Sequence, residues 1–306
     1  MISMLDPSSE LFLADLSRAQ QRIETAQRQV SSGRKIVVPA DAPDQIDTLL
    51  QLRAAQLHNV QLQANLGRAK TEADTAEQTL STAAQLMDRV LVLASQGTSP
   101  GVGADQRQNI ADEVQSIQQQ LVSFTRTSAE GRYIFSGDQD QQPAYDTDAS
   151  SPTGVVRLFS ATSTRVLEDP AGGTFPAGKT AEEIFDHRNP DDSPAADNAF
   201  AALSALRTAL LNNDTTGISS AIDLVRQASD HVNTELAAYG TLQRRIGDAT
   251  DFAAGYDTRL QTELGQKQDA DVAAAAVELT QGNTQVQAAL AARARLPRTT
   301  LFDLLG

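Results

Sequence analysis

The sequence predicts a mainly α-helical fold with a small β-rich insertion, in which long antiparallel helices from both chain ends form a coiled-coil bundle. Three observations predict it: unbroken heptad spacing in both halves, scarcity of aromatic residues, and an abrupt change of composition in the middle. The 306 residues contain no Trp or Cys and only 4% aromatics. Aromatic rings normally supply much of a compact core. Here burial must come from many Ala, Leu, Val and Ile contacts, which suits helices laid side by side.

The first element follows Phe12, Leu16, Ala19, Ile23, Ala26 and Val30, a 4-3-4-3-4 stripe of the kind that buries nothing until it meets a partner. Gly33 and the Pro39–Pro43 stretch interrupt it. The pattern resumes without a miss at Leu62, Leu66, Ala69, Ala73, Ala76, Leu80, Ala83, Met87, Val90 and Ala94, and ends at Gly97 and Pro100. Ile110, Val114, Ile117, Leu121 and Phe124 predict a third helix. In the second half, Ile218, Ile222, Val225, Ser229, Val232, Leu236, Tyr239, Gln243, Ile246, Thr250 and Ala253 form a long series. Val272, Ala276, Leu279, Asn283, Val286 and Leu290 form a last one. The simplest arrangement packs N-terminal helices on C-terminal ones, with the outermost stripes, 12–30 and 272–290, left without a partner in the monomer.

Residues 138–197 differ in kind, being rich in Pro, Gly, Ser, Thr and Asp, with short β-like runs at Val155–Phe159 and Thr164–Leu167. Turn residues bound them on both sides. The expected divisions are 1–44 (assembly and export helix), 45–137 and 198–268 (the two halves of the bundle), 138–197 (outer β-rich domain) and 269–306 (C-terminal assembly helix). The insertion carries twelve acids against four bases, Arg157, Arg165, Lys179 and Arg188, within a chain of net charge −14. That balance disfavours nucleic acid and anionic membrane as partners and reads as a solvated outer surface. No apolar run approaches a membrane span, so no membrane insertion is expected. The N-terminus lacks the build of a cleaved signal peptide, which by itself reads as cytoplasmic.

The strongest chemical motif is Gly173-Thr174-Phe175-Pro176-Ala177-Gly178-Lys179-Thr180, which fits the phosphate-binding pattern G-x-x-x-x-G-K-[ST]. Its context is poor. Leu167-Glu168-Asp169-Pro170 stands where a buried strand should lead in, and Pro176 lacks an N–H that the phosphate cradle needs. A turn in the insertion is the preferred reading. Ser32-Gly33-Arg34-Lys35 matches S-x-x-K without the companion motifs of acylating enzymes and reads as a polar helix end. From Asp138, a calcium loop would need Gly and Glu where Pro143 and Ala149 stand. His58, His187 and His231 have no second ligand at helical spacing and read as isolated surface residues. Asp191-Asp192 reads as a solvated pair. No catalytic residue, cofactor or metal site is expected, and the chain is read as no enzyme.

Ser31-Ser32-Gly33-Arg34-Lys35-Ile36, followed by Pro39-Ala40-Asp41-Ala42-Pro43, resembles the N-terminal signature of the flagellin superfamily, with Ala40 and Ala42 in place of the usual Ser and second Asp. Asn65-Leu66, Arg89–Ala94 and the run from Gln106-Arg107 to Glu113 are similar to the same family. So are Gly131-Arg132-Tyr133-Ile134-Phe135-Ser136-Gly137, Asp269-Ala270-Asp271-Val272-Ala273 and the ending Thr300-Leu301-Phe302-Asp303-Leu304-Leu305. The 131–137 segment, the ending and the small insertion favour the branch that joins hook to filament. A flagellin-type filament subunit is the alternative, and a nucleotide-binding protein the remote one. The junction resemblance implies self-association in a ring, contact with hook-associated protein 1 on one side and flagellin on the other, and an export chaperone. It also implies secretion through the flagellar export channel without a cleaved signal, reversing the cytoplasmic reading. The residues expected to face neighbouring subunits are Leu16, Ile23, Val30, Leu279, Val286, Leu290, Leu301 and Phe302. The outer stripes are expected to order fully only when neighbours cover them.

Overall fold

The computed structural model describes residues 7–295 except 149, 152 and 162. In chain order the elements are α1 (Pro7–Ser32), a 3-10 turn (Pro39–Asp41), α2 (Ile46–Gly97) and α3 (Ala104–Thr125). Six short strands follow: β1 (Ser128–Ala129), β2 (Arg132–Tyr133), β3 (Tyr145–Thr147), β4 (Val155–Arg157), β5 (Val166–Glu168) and β6 (Thr174–Pro176). The chain ends with α4 (Ala181–Ile184), α5 (Ala199–Leu211), α6 (Thr215–Gln268) and α7 (Val272–Arg295). This is the expected helical fold with a β-rich insertion. The strands pair as three separate antiparallel hairpins, β1–β2, β3–β4 and β5–β6.

The chain divides into two compact units, residues 1–58 with 256–306, and residues 59–255. The divisions fall inside α2 and α6, unlike the boundaries at 44 and 268 read from breaks in helical pattern.

In the 59–255 unit, all ten stripe positions of α2 from Leu62 to Ala94 are buried. Asn59 donates to the Ala253 carbonyl at 2.9 Å and Gln243 to Asp74 at 2.9 Å, while Gly97 lies against Ile218. As α2 advances its partner residue falls, so α2 and α6 run antiparallel. The α6 seam differs in part from the one expected: Ala221, Ala228 and Ala249 are fully buried, whereas Ile222 and Leu236 lie at its flank. Small side chains allow the close helix approach.

At the turn into α3, Arg107 is buried. Its guanidinium donates to the Gly97 carbonyl at 2.8 Å and to the Asn213 side chain, satisfying the end of α2. Arg89 on α2 pairs with Glu113 on α3 at 2.8 Å. Family-like residues at 89, 107 and 113 thus hold the α2–α3 corner.

The few aromatic residues concentrate where the insertion meets the bundle. Phe135, Phe185, Phe200 and Tyr145 form a chain of ring contacts with centroids 5.7 to 6.4 Å apart. Buried Asp186 accepts from Tyr145 Oη (3.0 Å), Arg188 Nε (2.9 Å) and Asn198 Nδ2 (2.7 Å). Burial, then the charge of Asp186, pushes the Tyr145 phenol pKa well above its ordinary range. All four bases of the insertion are paired: Arg165 with Glu72, Lys179 with Glu235, Arg157 with Glu182 and Asp192, and Arg188 with Asp186 and Asp192. The insertion is therefore fastened to the helices and not merely a solvated outer surface. Asp192 is solvated as read, with its side chain 63% exposed, and also pairs with Arg157 and Arg188.

Replacing Arg107 with Ala leaves the Gly97 carbonyl without its donor. The expected loss is about 1–3 kcal/mol, measured as a lower denaturation midpoint with helix content otherwise retained.

Candidate functional site

The unit built from the chain ends gathers the family-like motifs. Gly33 closes α1 in the left-handed conformation, φ +69°, with its N–H on the Gln29 carbonyl at 2.9 Å. Glycine adopts that geometry at no steric cost. The chain then runs against the connection between α6 and α7: Lys35 N donates to the Gln268 carbonyl at 2.7 Å, and Ala270 N to the Gly33 carbonyl at 2.9 Å. Lys35 Nζ adds a bond to the Gln266 carbonyl at 2.9 Å. The motifs at 31–36 and 269–273 are therefore two sides of one antiparallel bridge, Arg34 opposite Asp269.

Two aspartates finish this corner. Asp41 accepts from Val37 N (2.8 Å) and Val38 N (2.9 Å), and these backbone donors, Val38 first, hold its carboxyl below the usual carboxylate range. Asp271 accepts from Ala274 N at 2.9 Å, capping the start of α7. The retained Asp of the 39–43 motif has a defined backbone role, although the Ser and second Asp of the family pattern are replaced.

From this corner α1 and α7 run antiparallel. Ile23 meets Gly282, Arg293 stacks over Phe12 at 5.4 Å, and Arg293 donates to Ser9. The expectation that these stripes lack a partner in the monomer is corrected: each is the other's partner. On α1 the seam uses the residues expected, with Ala26 fully buried and Leu16, Ile23 and Val30 half-buried. On α7 the seam is Ala275, Leu279, Gly282, Val286, Ala289 and Arg293. Leu279 and Val286, expected to face neighbouring subunits, lie half-buried against α1 instead, as Leu16, Ile23 and Val30 do against α7, whereas Leu290 is 49% exposed and Val272 44% exposed on the outer surface. A Cβ at Gly282 would come within 2.7 Å of Ile23 Cγ1, so only glycine fits the observed spacing. Leu301 and Phe302 lie outside the described residues.

The outer faces of this pair remain apolar in places. Leu11 is 65% exposed, Leu13 51% and Val277 55%. Sequence reading missed these three because they lie off the stripes; exposure of a large apolar side chain is the signal that finds them.

The phosphate-loop look-alike folds differently from a turn. Thr174–Pro176 is strand β6, with Phe175 opposite Leu167 and fully buried. The Ala177 amide donates to the Arg165 carbonyl (2.7 Å), the Lys179 amide to Tyr239 Oη (3.0 Å), and the Thr180 amide to Glu183 (2.7 Å). Lys179 Nζ is held by buried Glu235 at 2.9 Å, and Thr180 caps α4. Amides and ammonium that would cradle a phosphate are already satisfied within the protein.

The bacterial flagellin N-terminal helical region matches residues 8–140, and the bacterial flagellin C-terminal helical region matches residues 222–305. The chain belongs to the flagellin family. Within this family it is 25% identical over 296 residues to flagellar hook-associated protein 3 of Escherichia coli (strain K12), covering 90% of each chain. It is 24% identical over 303 residues to flagellin C of Rhizobium meliloti (strain 1021), covering 93% of this chain and 92% of that one. The fold is similar to the crystal structure of flagellar hook-associated protein 3 from Legionella pneumophila. The TM-score is 0.60 at 12% identity, over 71% of this chain and 98% of that one.

Substituting Gly282 with Leu should force α7 away from Ile23. Amide exchange is expected to accelerate across α1 and α7 while the α2 seam from Leu62 to Ala94 stays protected; unchanged exchange in α1 would show that the seam is not formed there. Lys179→Ala strips buried Glu235 of its cation and should lower stability by about 1–3 kcal/mol, read from chemical denaturation. ATP–Mg²⁺ should leave the midpoint of the parent chain unmoved.

Proposed function

We propose that this chain is the adaptor subunit joining the hook of a bacterial flagellum to its filament. The observation that carries this reading is the pairing of the chain ends. α1 and α7 close one seam on each other and present Leu11, Leu13, Val272, Val277 and Leu290 outward. A two-helix coiled coil with apolar residues on its free faces gains most of its remaining burial from neighbouring subunits. The relationship to hook-associated protein 3 over nine-tenths of both chains selects the junction branch.

In this reading the subunits associate in a ring, hook-associated protein 1 lies on one side and flagellin on the other. Leu16, Ile23, Val30, Leu279 and Val286 hold the hairpin in register, and Leu290 with the segment containing Leu301 and Phe302 meets the neighbours. The chain leaves the cell unfolded through the flagellar export route, held beforehand by an export chaperone. The absence of cysteine and of disulfides is compatible with that passage. The 138–197 insertion, fastened to α2 and α6 through Arg165–Glu72 and Lys179–Glu235, faces outward from the assembly. Its role is structural and not catalytic.

The match to flagellin C keeps a filament subunit as the second reading. Deleting the gene separates the two. Hooks without filaments, with flagellin shed into the medium, are expected of an adaptor; normal filaments would refute it, and missing filaments without shed flagellin would favour the filament subunit. A Leu11→Asp, Leu290→Asp double variant should reproduce the deletion phenotype while the purified monomer keeps its denaturation midpoint.

A further inference from the structure

Three residues that look unrelated in sequence meet on the 59–255 unit. His187 lies in the loop after α4, Asp197 stands just before α5, and His231 is on α6. Their ligand-type atoms all lie within 4.8 Å of one another. This corrects the reading of His187 and His231 as isolated surface residues. His187 Nδ1 is 2.8 Å from Asp197 Oδ1, His231 Nδ1 is 3.4 Å from Asp197 Oδ2, and the two rings stack with centroids 5.1 Å apart.

The protonation pattern is informative. His231 Nε2 lies 2.8 Å from the Glu183 backbone carbonyl, which can only accept, so Nε2 carries a proton. In the neutral imidazole Nδ1 is then bare, and its lone pair points toward a carboxylate oxygen. Two acceptors face each other, an arrangement that requires a positive charge between them, either a proton or a metal ion. A ring whose far N–H is fixed by a carbonyl is also how proteins orient a metal-binding histidine.

We propose that His187, Asp197 and His231 form a binding site for a divalent transition-metal ion of the zinc type. Imidazole and carboxylate donors without thiolate suit Zn²⁺, and three protein ligands leave the remaining position to water. Tetrahedral bonds of about 2.0–2.2 Å to Zn²⁺ set ligand atoms about 3.3–3.6 Å apart, which the 3.4 Å His231–Asp197 separation fits, while the 2.8 Å His187–Asp197 hydrogen bond has to open. His231 is the anchored side, with its side chain 16% exposed. His187 is 46% exposed, and turning it about its side-chain bonds unstacks the rings and brings Nδ1 onto the same ion. The excess of acids in residues 138–197 favours cations nearby. An ion held there ties the loop between α4 and α5 to α6. The site does not depend on which flagellar role the chain plays.

The test is titration of zinc chloride into the purified, untagged full chain, with Co²⁺ absorption as the spectroscopic reporter and Zn²⁺ as its competitor. One equivalent is expected to bind. His187→Ala and Asp197→Asn should each weaken binding by at least about tenfold, and His58→Ala should leave it unchanged. His187 is half-exposed, so its variant keeps the fold and separates ligand loss from unfolding, checked by an unchanged circular dichroism spectrum. Absence of saturable binding in the parent chain would overturn the site, as would binding that survives both His187→Ala and Asp197→Asn.

Discussion

The close antiparallel approach of helices from opposite chain ends is the constraint on which the other features depend. In both units the seam is built on small residues: Ala69, Ala73, Ala76 and Ala83 of α2 with Ala221, Ala228 and Ala249 of α6, and Ala26 of α1 with Ala275 and Gly282 of α7. Each alanine buries little apolar area. Stability therefore comes from the length of the seam and from the Leu, Val, Ile and Met residues interleaved with it. Such a seam must be held in register, since side chains along it are alike. The Gly33–Ala270 bridge fixes register at one end of the α1–α7 pair, and Arg107 on the Gly97 carbonyl fixes the end of α2.

The insertion follows from this constraint. A seam poor in aromatics gains a fixed point where Phe135, Tyr145, Phe185 and Phe200 cluster, and the polar centre at Asp186 joins that cluster to α5 through Asn198. The two-residue turn Glu130-Gly131, with φ of 50° and 79°, reverses the chain between β1 and β2 in the manner favoured for tight hairpins. Gly137 then brings the backbone so close to Ser163 and Ala161 that a Cβ would lie within 2.8 Å of both. The family-like segment 131–137 thus combines a tight turn, buried Ile134 and Phe135, and a close backbone crossing.

How much of this was legible in the sequence depended on how unequal the competing helix faces were. For α2 every stripe position read from Leu62 to Ala94 is buried, because mostly polar residues flank the stripe over its first half; Ala84 and Leu93, off the stripe, are buried as well. For α7 it drifted. Val272-Ala273-Ala274-Ala275-Ala276 offers no contrast between faces, so weight of hydrophobicity selected Ala276, Asn283 and Leu290. Close packing selected Ala275, Gly282 and Ala289 instead. Leu279 and Val286 belong to both registers, but they meet α1 where neighbouring subunits were expected. The helix α5 escaped notice, although Asn198 caps it through the Ala201 amide and Phe200, Leu203, Leu206 and Leu210 are its buried face. Nor does any periodicity join His187 to His231: only tertiary folding brings the α4–α5 loop beside α6. The phosphate-loop pattern shows the opposite failure, a local match whose amides the surrounding structure has already used.

The two units differ in how far they satisfy themselves, and that difference bears on assembly. The 59–255 unit has an aromatic cluster, ion pairs with one buried partner (Glu235, Asp186) and a long continuous core. Among the described residues of the other unit, the fully buried apolar side chains are Ala26, Ile36, Leu49, Leu260 and Ala275. Isolated helices of a few turns are marginal in water without packing on an amphipathic face, and one shared seam supplies little of it. The chain ends therefore hold their geometry through a bridge, two aspartate caps and close contacts at Ile23 and Gly282, while Leu11, Leu13, Val277 and Leu290 stay outside. A hairpin set in register before it meets its neighbours pays less ordering entropy when they cover it. On the proposed reading, pairing α1 with α7 in the monomer is a preparation for assembly, and the exposed Leu11, Leu13, Val277 and Leu290 are the surface offered to neighbours.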